Sequence, residues 1–200
     1  MPYLNRDSTE DEPIDCRILT AGLDLFVENG YHNVSVHDVQ KSAGVSIGSI
    51  YKHFGGKEGV AKRLYEHLLG ELDEMLDDVI STEETPEKRC RELIRRLFDY
   101  TETRTNIIAF VFNAKHREFL SNEPPMCSSK PFAKMRGIVD QGMDEGVFKR
   151  VDSFVAVSMV FGSAIRMIQL RLDGVVERPL PEYFDEIVAT AWHGMSLKKE

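Results

Sequence analysis

Residues 46–57 concentrate side chains that can form hydrogen bonds with a nucleic acid. If this segment is helical, its outward face carries Gly48, Ser49, Lys52 and His53. Hydroxyl, ammonium and imidazole groups bind base edges and phosphates, and small residues let a helix come close to them. A glycine inside a helix costs about 1 kcal/mol relative to alanine, so Gly48 indicates a close approach of the backbone to another molecule. The segment therefore predicts a helix that reads the major groove of DNA.

Two short helices joined by a tight turn are predicted to position this segment. Ser35 starts the first helix, with Asp38 three residues later as in a capping box, and Gly44 ends it. A three-residue turn, residues 44–46, leads to the second helix, which Ser46 caps. This is the spacing of a helix-turn-helix. The residues assigned to the core of the pair are Val36, Val39, Ala43, Ile50 and Phe54.

Three further residues are suited to contacts with phosphates. Lys57 begins the following helix, where a cation opposes the helix dipole unless an anion such as a phosphate lies beside it. Ser35 places a hydroxyl and free amides at the start of its helix. Tyr51 is expected to bury its ring against the helix pair and to offer its hydroxyl to the DNA backbone.

The overall charge of –8 would argue against a nucleic-acid partner, but the charge is unevenly distributed. Between Val34 and Lys57, three lysines stand against Asp38 alone. The longest apolar run, Ile107 to Phe112, is too short to span a bilayer, and no secretory signal follows Met1. We therefore expect a cytoplasmic protein with no membrane partner.

Apolar residues recur at spacings of three and four along the chain, and strand signals are nearly absent. These patterns predict an all-α fold of about nine helices. A disordered acidic tail is expected at 1–12, a three-helix domain at 13–56 and a larger helical domain at 57–200, with a long helix at 57–80 connecting the two domains.

Residues 21–31 and 34–57 together resemble the TetR family of transcriptional regulators. The shared features are Phe26 followed by Gly30 and Tyr31, the sequence Ala-Gly-Val-Ser at 43–46, and the Ile-Tyr-x-x-Phe helix at 50–54 followed by a lysine. The resemblance implies contacts with base edges or the DNA backbone beside them by Ser46, Ile47, Gly48, Ser49 and Lys52. It implies phosphate contacts by Ser35, Tyr51, His53 and Lys57.

The same resemblance implies that the larger domain binds a small-molecule effector, which the sequence does not identify. Aromatic and other side chains at helical spacing are candidates to line that site, although most such residues are core. The candidates are Phe98, Tyr100, Phe110, Phe112, His116, Phe119, Met126 and Phe132. No metal ligand set, cofactor motif or catalytic constellation is recognisable, so an enzyme is disfavoured.

The last two helices have more apolar surface than one small domain needs, and the resemblance implies a four-helix homodimer interface there. The predicted interface residues are Phe154, Val157, Phe161, Ile165, Ile168, Ile187, Val188 and Trp192. The expected function is a ligand-responsive transcriptional regulator, a repressor that binds a pseudo-palindromic operator in double-stranded DNA as a homodimer. The alternative is a small-molecule binding module that has lost DNA binding.

Overall fold

The computed structural model describes residues 13–113 and 128–197, and these ranges contain nine α-helices. The prediction of an all-α fold is confirmed. The predicted tail at 1–12 lies outside the described residues. The helices are α1 (Ile14–Asn29), α2 (Val36–Ala43), α3 (Ile47–Phe54), α4 (Lys57–Thr82), α5 (Pro86–Thr103), α6 (Thr105–Asn113), α7 (Lys130–Asp144), α8 (Ser153–Leu172) and α9 (Phe184–Met195).

Local sequence signals account for the helix boundaries. The side chains of Ser35, Ser46, Thr85 and Asp152 each accept a hydrogen bond from a backbone amide in the first turn of the helix that follows. Gly44 ends α2 in the left-handed conformation, with φ of 61°, which glycine adopts without strain. The predicted limits of α2 and the predicted start of α3 therefore agree with the structure.

The chain forms two compact units. The described part of the first comprises residues 13–71 and 106–113, and that of the second comprises 72–105 and 128–197. In the first unit, α1, α2 and α3 pack on one another, and α1 and α3 also lie against the first half of α4. Fully buried side chains at the centre of this unit are Ile18, Leu23, Val39, Ile50 and Leu64.

The second unit is built around α5, α7, α8 and α9. Gly142 on α7 lies against the ring of Phe148, where a β-carbon would come within 2.3 Å of the ring. The Phe148 ring in turn meets Trp192 edge to face, at 5.9 Å between centroids. This aromatic pair joins the end of α7 to α9.

Half of the predicted dimer-interface residues are instead core of the single chain. Phe161, Ile168 and Val188 are at most 1% exposed, and Trp192 is 8% exposed. Because α8 is apolar on nearly all sides, its sequence does not distinguish the face that packs inside the chain from the face left for a partner. Val157, Ile165 and Ile187 are half-buried, and Phe154 is 63% exposed.

Among the described residues, α8 is the one helix long and apolar enough to cross a membrane, judged by length and composition. Its most apolar 18-residue window has a mean hydropathy of 1.5, and only 28% of that window is buried in the chain. A large part of its apolar surface is therefore open to a partner.

Candidate DNA-binding site

Two serines form the exposed beginning of α3. The Ser46 hydroxyl accepts a hydrogen bond from the Ser49 amide at 3.1 Å, and the two hydroxyl oxygens are 2.9 Å apart. One hydroxyl therefore donates to the other, and the remaining hydroxyl proton is free for an acceptor outside the chain. The amides of Ile47 and Gly48, in the first helical turn, have no carbonyl partner within the helix. This end of α3 is suited to base acceptors or a phosphate.

The rest of α3 separates into a buried and an open side. Ile50 is fully buried, as predicted, and Phe54 is only half-buried. Gly48, Lys52 and His53 are exposed, whereas Ser49 and Ile47 are partly covered. The open side carries hydrogen-bonding groups of both the main chain and the side chains.

The prediction that the Tyr51 ring is buried against the helix pair is wrong. Tyr51 is 55% exposed. Its ring edge lies near Gly56, where a β-carbon would be 3.5 Å from the Tyr51 Cε1 atom. Because Ile50 occupies the inward position, the adjacent residue points about 100° away from it. More than half of the tyrosine is therefore open to a ligand of this surface.

The free chain does not require a glycine at position 48. A β-carbon there would meet only the Ser46 hydroxyl, at 3.7 Å, which is ordinary van der Waals contact. An alanine would fit and would favour the helix by about 1 kcal/mol. The packing of the chain itself therefore does not explain Gly48, which is consistent with close approach of DNA at this position.

A reciprocal capping box occupies the beginning of α2. The Asp38 carboxylate accepts hydrogen bonds from the Ser35 amide at 2.8 Å and the Ser35 hydroxyl at 2.6 Å, and the Asp38 amide donates to that hydroxyl at 3.2 Å. These hydrogen bonds hold the pKa of Asp38 below its ordinary value. The Ser35 hydroxyl is therefore engaged, and the amides of Val36 and His37 remain as the donors of this turn.

Lys57 has partners within the chain that its sequence position did not reveal. Its ammonium donates to the carbonyl oxygens of Tyr31 at 2.9 Å and Val34 at 2.8 Å, and it lies 4.1 Å from the centre of the Tyr31 ring. The two carbonyl oxygens and the ring face carry partial negative charge, so they stabilise the Lys57 ammonium at the start of α4. The sequence had led us to expect a phosphate in this role. Burial lowers the pKa of Lys57. One of its three N–H donors remains for an external acceptor.

Arg17 on α1 contacts the other end of α2 and was not singled out by the sequence. Its Nη2 atom donates to the carbonyl oxygens of Ala43 at 2.7 Å and Gly44 at 3.0 Å. Beside it, the side-chain amide of Gln40 donates to the Val45 carbonyl at 2.9 Å. The last carbonyls of α2 and the turn into α3 are thus satisfied by side chains. No local motif signals Arg17, because its partners are 26 and 27 residues away.

The junction of α3 and α4 uses three glycines. Gly55 and Gly56 have φ of 74° and 130°, values that other residues rarely adopt. Gly59, in the first turn of α4, lies so close to the end of α3 that a β-carbon would be 1.6 Å from the Phe54 carbonyl oxygen. The backbone conformation at these three glycines fixes the direction of α4 relative to α3.

The two parts of the chain both match known families. Residues 18–64 match the family of bacterial regulatory proteins called tetR, and residues 65–197 match the tetracyclin repressor-like C-terminal domain. The chain belongs to the TetR family. It is therefore a transcriptional regulator with a helix-turn-helix DNA-binding domain, in agreement with the exposed α3 surface.

Relatives of this TetR-family chain include regulators of lipid metabolism. The fatty acid metabolism regulator protein of Bacillus subtilis is 27% identical over 160 residues, which are 77% of this chain and 81% of that protein. The structure of FadR from Bacillus subtilis in complex with stearoyl-CoA has a TM-score of 0.75 and 22% identity, covering 89% of this chain and 97% of that one. The structure of KstR2, the ketosteroid transcriptional regulator of Mycobacterium tuberculosis, has a TM-score of 0.71 and 18% identity, and the match covers 96% of this chain and 100% of that one.

The effector-site candidates of this TetR-family chain fall in different places. Phe98 is fully buried and Tyr100 and Phe132 are half-buried in the second unit. In the first unit, Phe110 is buried and Phe112 is half-buried. The remaining candidates, His116, Phe119 and Met126, lie outside the described residues. Lining of an effector site stays a prediction for all eight.

An open cavity of about 390 Å³ lies within the first unit, near the end of α3. Its lining combines charged, polar and apolar side chains from α1, α3 and α4, namely Asp15, Cys16, Leu19, His53, Phe54, Arg63 and His67. None of the five effector-site candidates that the structure describes lines it.

Proposed function

We propose that this chain is a repressor that binds a pseudo-palindromic operator as a homodimer and is released by a small-molecule effector. The observation that carries the proposal is the open face of α3, on which Gly48 is not required by the chain itself. In this proposal, Ser46, Ile47, Gly48, Ser49 and Lys52 meet base edges or the backbone beside them, and Ser35, Tyr51, His53 and Lys57 meet phosphates.

The proposed homodimer uses the part of α8 that the single chain leaves open. Phe154, Val155 and Met159 are 63%, 50% and 41% exposed, and Val151, just before α8, is 40% exposed. Val155 and Met159 are four residues apart on α8 and Phe154 is next to Val155, so these three side chains lie on one side of the helix and form one exposed stripe. At Gly162, farther along the same stripe, a β-carbon would meet nothing within 4 Å, which leaves room for a helix of a second copy.

We propose a long-chain acyl-CoA as the effector class. The support is similarity to the fatty acid metabolism regulator of Bacillus subtilis and the likeness to a FadR structure that contains stearoyl-CoA. The effector would favour a conformation in which the two DNA-reading heads no longer match the operator. A coupling free energy of about 1–3 kcal/mol would lower operator affinity about 5- to 150-fold.

The test begins with selection of bound duplexes from a random pool, followed by binding of the selected duplex at several salt concentrations. A DNA-binding regulator loses affinity steeply as salt rises, whereas a module that has lost DNA binding shows no duplex binding at any salt. Stearoyl-CoA is then added, with coenzyme A alone as the control. Unchanged operator affinity with saturating stearoyl-CoA would reject the acyl-CoA proposal and leave the DNA-binding proposal intact.

Substitutions on α3 test the assignment of contacts. Ser49→Ala and Lys52→Met are expected to change which bases the selection recovers, because these side chains are assigned to base edges. If either variant loses as much affinity for a random duplex as for the selected duplex, the replaced side chain contacts only the DNA backbone.

A further inference from the structure

We propose that Arg17 and Lys57 are positioning residues that hold α2 at its two ends and thereby set the spacing between the start of α2 and the reading face of α3. The inference rests on the proposed function, because the spacing matters only when both surfaces contact one duplex. Neither residue needs to touch a base for this role.

At each end of α2, a cationic side chain donates hydrogen bonds to backbone carbonyl oxygens. Before the helix, Lys57 holds the Val34 carbonyl, which directly precedes the Ser35 cap. After the helix, Arg17 holds the carbonyls of Ala43 and Gly44. Each cation comes from a different neighbouring helix, Arg17 from α1 and Lys57 from α4. The structure therefore links α2 to both neighbours through charge-assisted hydrogen bonds, which are stronger than neutral ones.

The helix held in this way depends on its neighbours. α2 has only 8 residues, and isolated helices of that length are unstable in water. Val39 and Ala43 are buried at the middle and the end of the helix, whereas in its first turn Val36 is only half-buried and the buried Val34 lies before the cap. Lys57 holds the carbonyl of the same Val34, so it adds a polar anchor to the apolar one at the first turn, where the Val36 and His37 amides are open.

Local packing supports the same role for Arg17. At Gly44, which already has φ of 61°, a β-carbon would lie 2.8 Å from the Arg17 Nη2 atom. The turn into α3 is thus built directly against the guanidinium. Because residue 46 of this turn caps α3, a displaced turn would change the direction of the recognition helix.

The first experiment compares Arg17→Met and Lys57→Met with Arg63→Met as the matched control. Arg63 is an exposed cation of the same unit, so its substitution removes the same charge. Binding is measured on the selected operator and on a random duplex. We expect Arg17→Met and Lys57→Met to lower operator affinity about tenfold, which is more than either variant lowers affinity for the random duplex. In Arg17→Met the loss on the random duplex should be no larger than in Arg63→Met, whereas Lys57→Met also loses its phosphate contact on both duplexes.

A second measurement isolates positioning from direct contact with DNA. In the absence of DNA, Lys57→Met should speed hydrogen exchange at the hydrogen-bonded amides of Asp38 and Val39. Arg17→Met should do so at those of Gly44 and Val45, and helix content measured by circular dichroism should be unchanged in both variants. Arg17→Lys should restore part of the operator preference, because one nitrogen of Arg17 donates both hydrogen bonds. The double variant should lose less binding free energy for the operator than the sum of the losses in the two single variants, because both residues hold the same helix.

Several results would overturn the inference. If Lys57→Met weakens binding to the operator and to the random duplex by the same factor, Lys57 acts only as a phosphate contact and does not position α2. If Arg17→Met and Arg63→Met lose the same affinity for each of the two duplexes, Arg17 contributes only its positive charge to DNA binding. Unchanged amide exchange in either variant would also reject positioning. A wild-type protein without any preferred duplex would instead reject the proposed function, which distinguishes the two failures.

Discussion

The carbonyl oxygen of Phe54 occupies the space that a side chain at position 59 would need. A β-carbon on Gly59 would lie 1.6 Å from that oxygen, far inside van der Waals contact. Gly59→Ala must therefore push α3 and α4 apart. We expect a loss of about 1–3 kcal/mol in the free energy of unfolding and a loss of operator binding, measured by urea denaturation and duplex titration.

Gly70→Ala provides the control for that substitution. Gly70 lies in the same helix, and a β-carbon there would meet nothing within 4 Å. This variant should gain up to about 1 kcal/mol of stability and keep its operator affinity. If both alanine variants were equally stable, the close contact at Gly59 would not constrain the junction.

Gly48→Ala is expected to separate stability from function. The chain has room for the added methyl group, so the free energy of unfolding should rise by up to about 1 kcal/mol, as for Gly70→Ala. The same methyl group would stand between α3 and the DNA, so operator affinity should fall. Thermal unfolding and duplex titration on the same samples test this. Undiminished operator affinity in Gly48→Ala would show that the backbone does not approach DNA closely there.

The elements of the DNA-binding domain were predictable because their signals are local. Ser35 with Asp38, Gly44 and Ser46 act within a few residues, so capping chemistry alone located the boundaries of α2 and α3. The same locality explains why Gly48 could be recognised as unusual before the fold was known. A glycine in the middle of a short helix has a cost whatever the helix packs against.

Tertiary partners were not predictable in this way. Lys57 meets Val34 across 23 residues, and Arg17 meets Ala43 across 26, with no pattern that links them in the sequence. Tyr51 and Phe161 show a second limit, since an aromatic residue at helical spacing is equally suited to core and to surface. Burial of Phe161 and exposure of Tyr51 are decided by the orientation of whole helices.

The Asp38 capping box should make the start of α2 sensitive to acid. Hydrogen bonds from Ser35 lower the pKa of Asp38 below its ordinary value of 3.8 in the folded chain, so proton binding favours the unfolded chain. Its contribution is therefore present above pH 3.8 and is lost as the pH falls through the lowered pKa. Asp38→Asn removes this titration. The wild type should melt at a higher temperature than the variant at neutral pH, and the difference should shrink in acid.

Other carboxylates titrate in the same range, which makes the comparison with Asp38→Asn necessary. Glu92, for example, has a pKa lowered to about 2 by hydrogen bonds from Arg95 and Arg96. Its effect is common to both proteins and cancels in the difference. A melting difference that stayed constant down to pH 2 would show that the capping box does not depend on the Asp38 charge.

Val155→Asp is expected to convert the proposed homodimer into a monomer. Val155 lies in the exposed stripe of α8 and is half exposed in the single chain, so an aspartate there is tolerated without a partner. In a dimer the same carboxylate would be buried without a cation and would cost several kcal/mol. Sedimentation velocity should show half the mass, and operator affinity should fall, because one head then binds one half-site.

Val175→Asp is the matched control, since Val175 is 67% exposed but lies beyond the end of α8. This variant should sediment like the wild type and bind the operator with unchanged affinity. Because both substitutions replace an exposed valine with the same charge, a difference between them reports the location of the interface. Dissociation by Val175→Asp, or a stable dimer of Val155→Asp, would place the interface away from the α8 stripe.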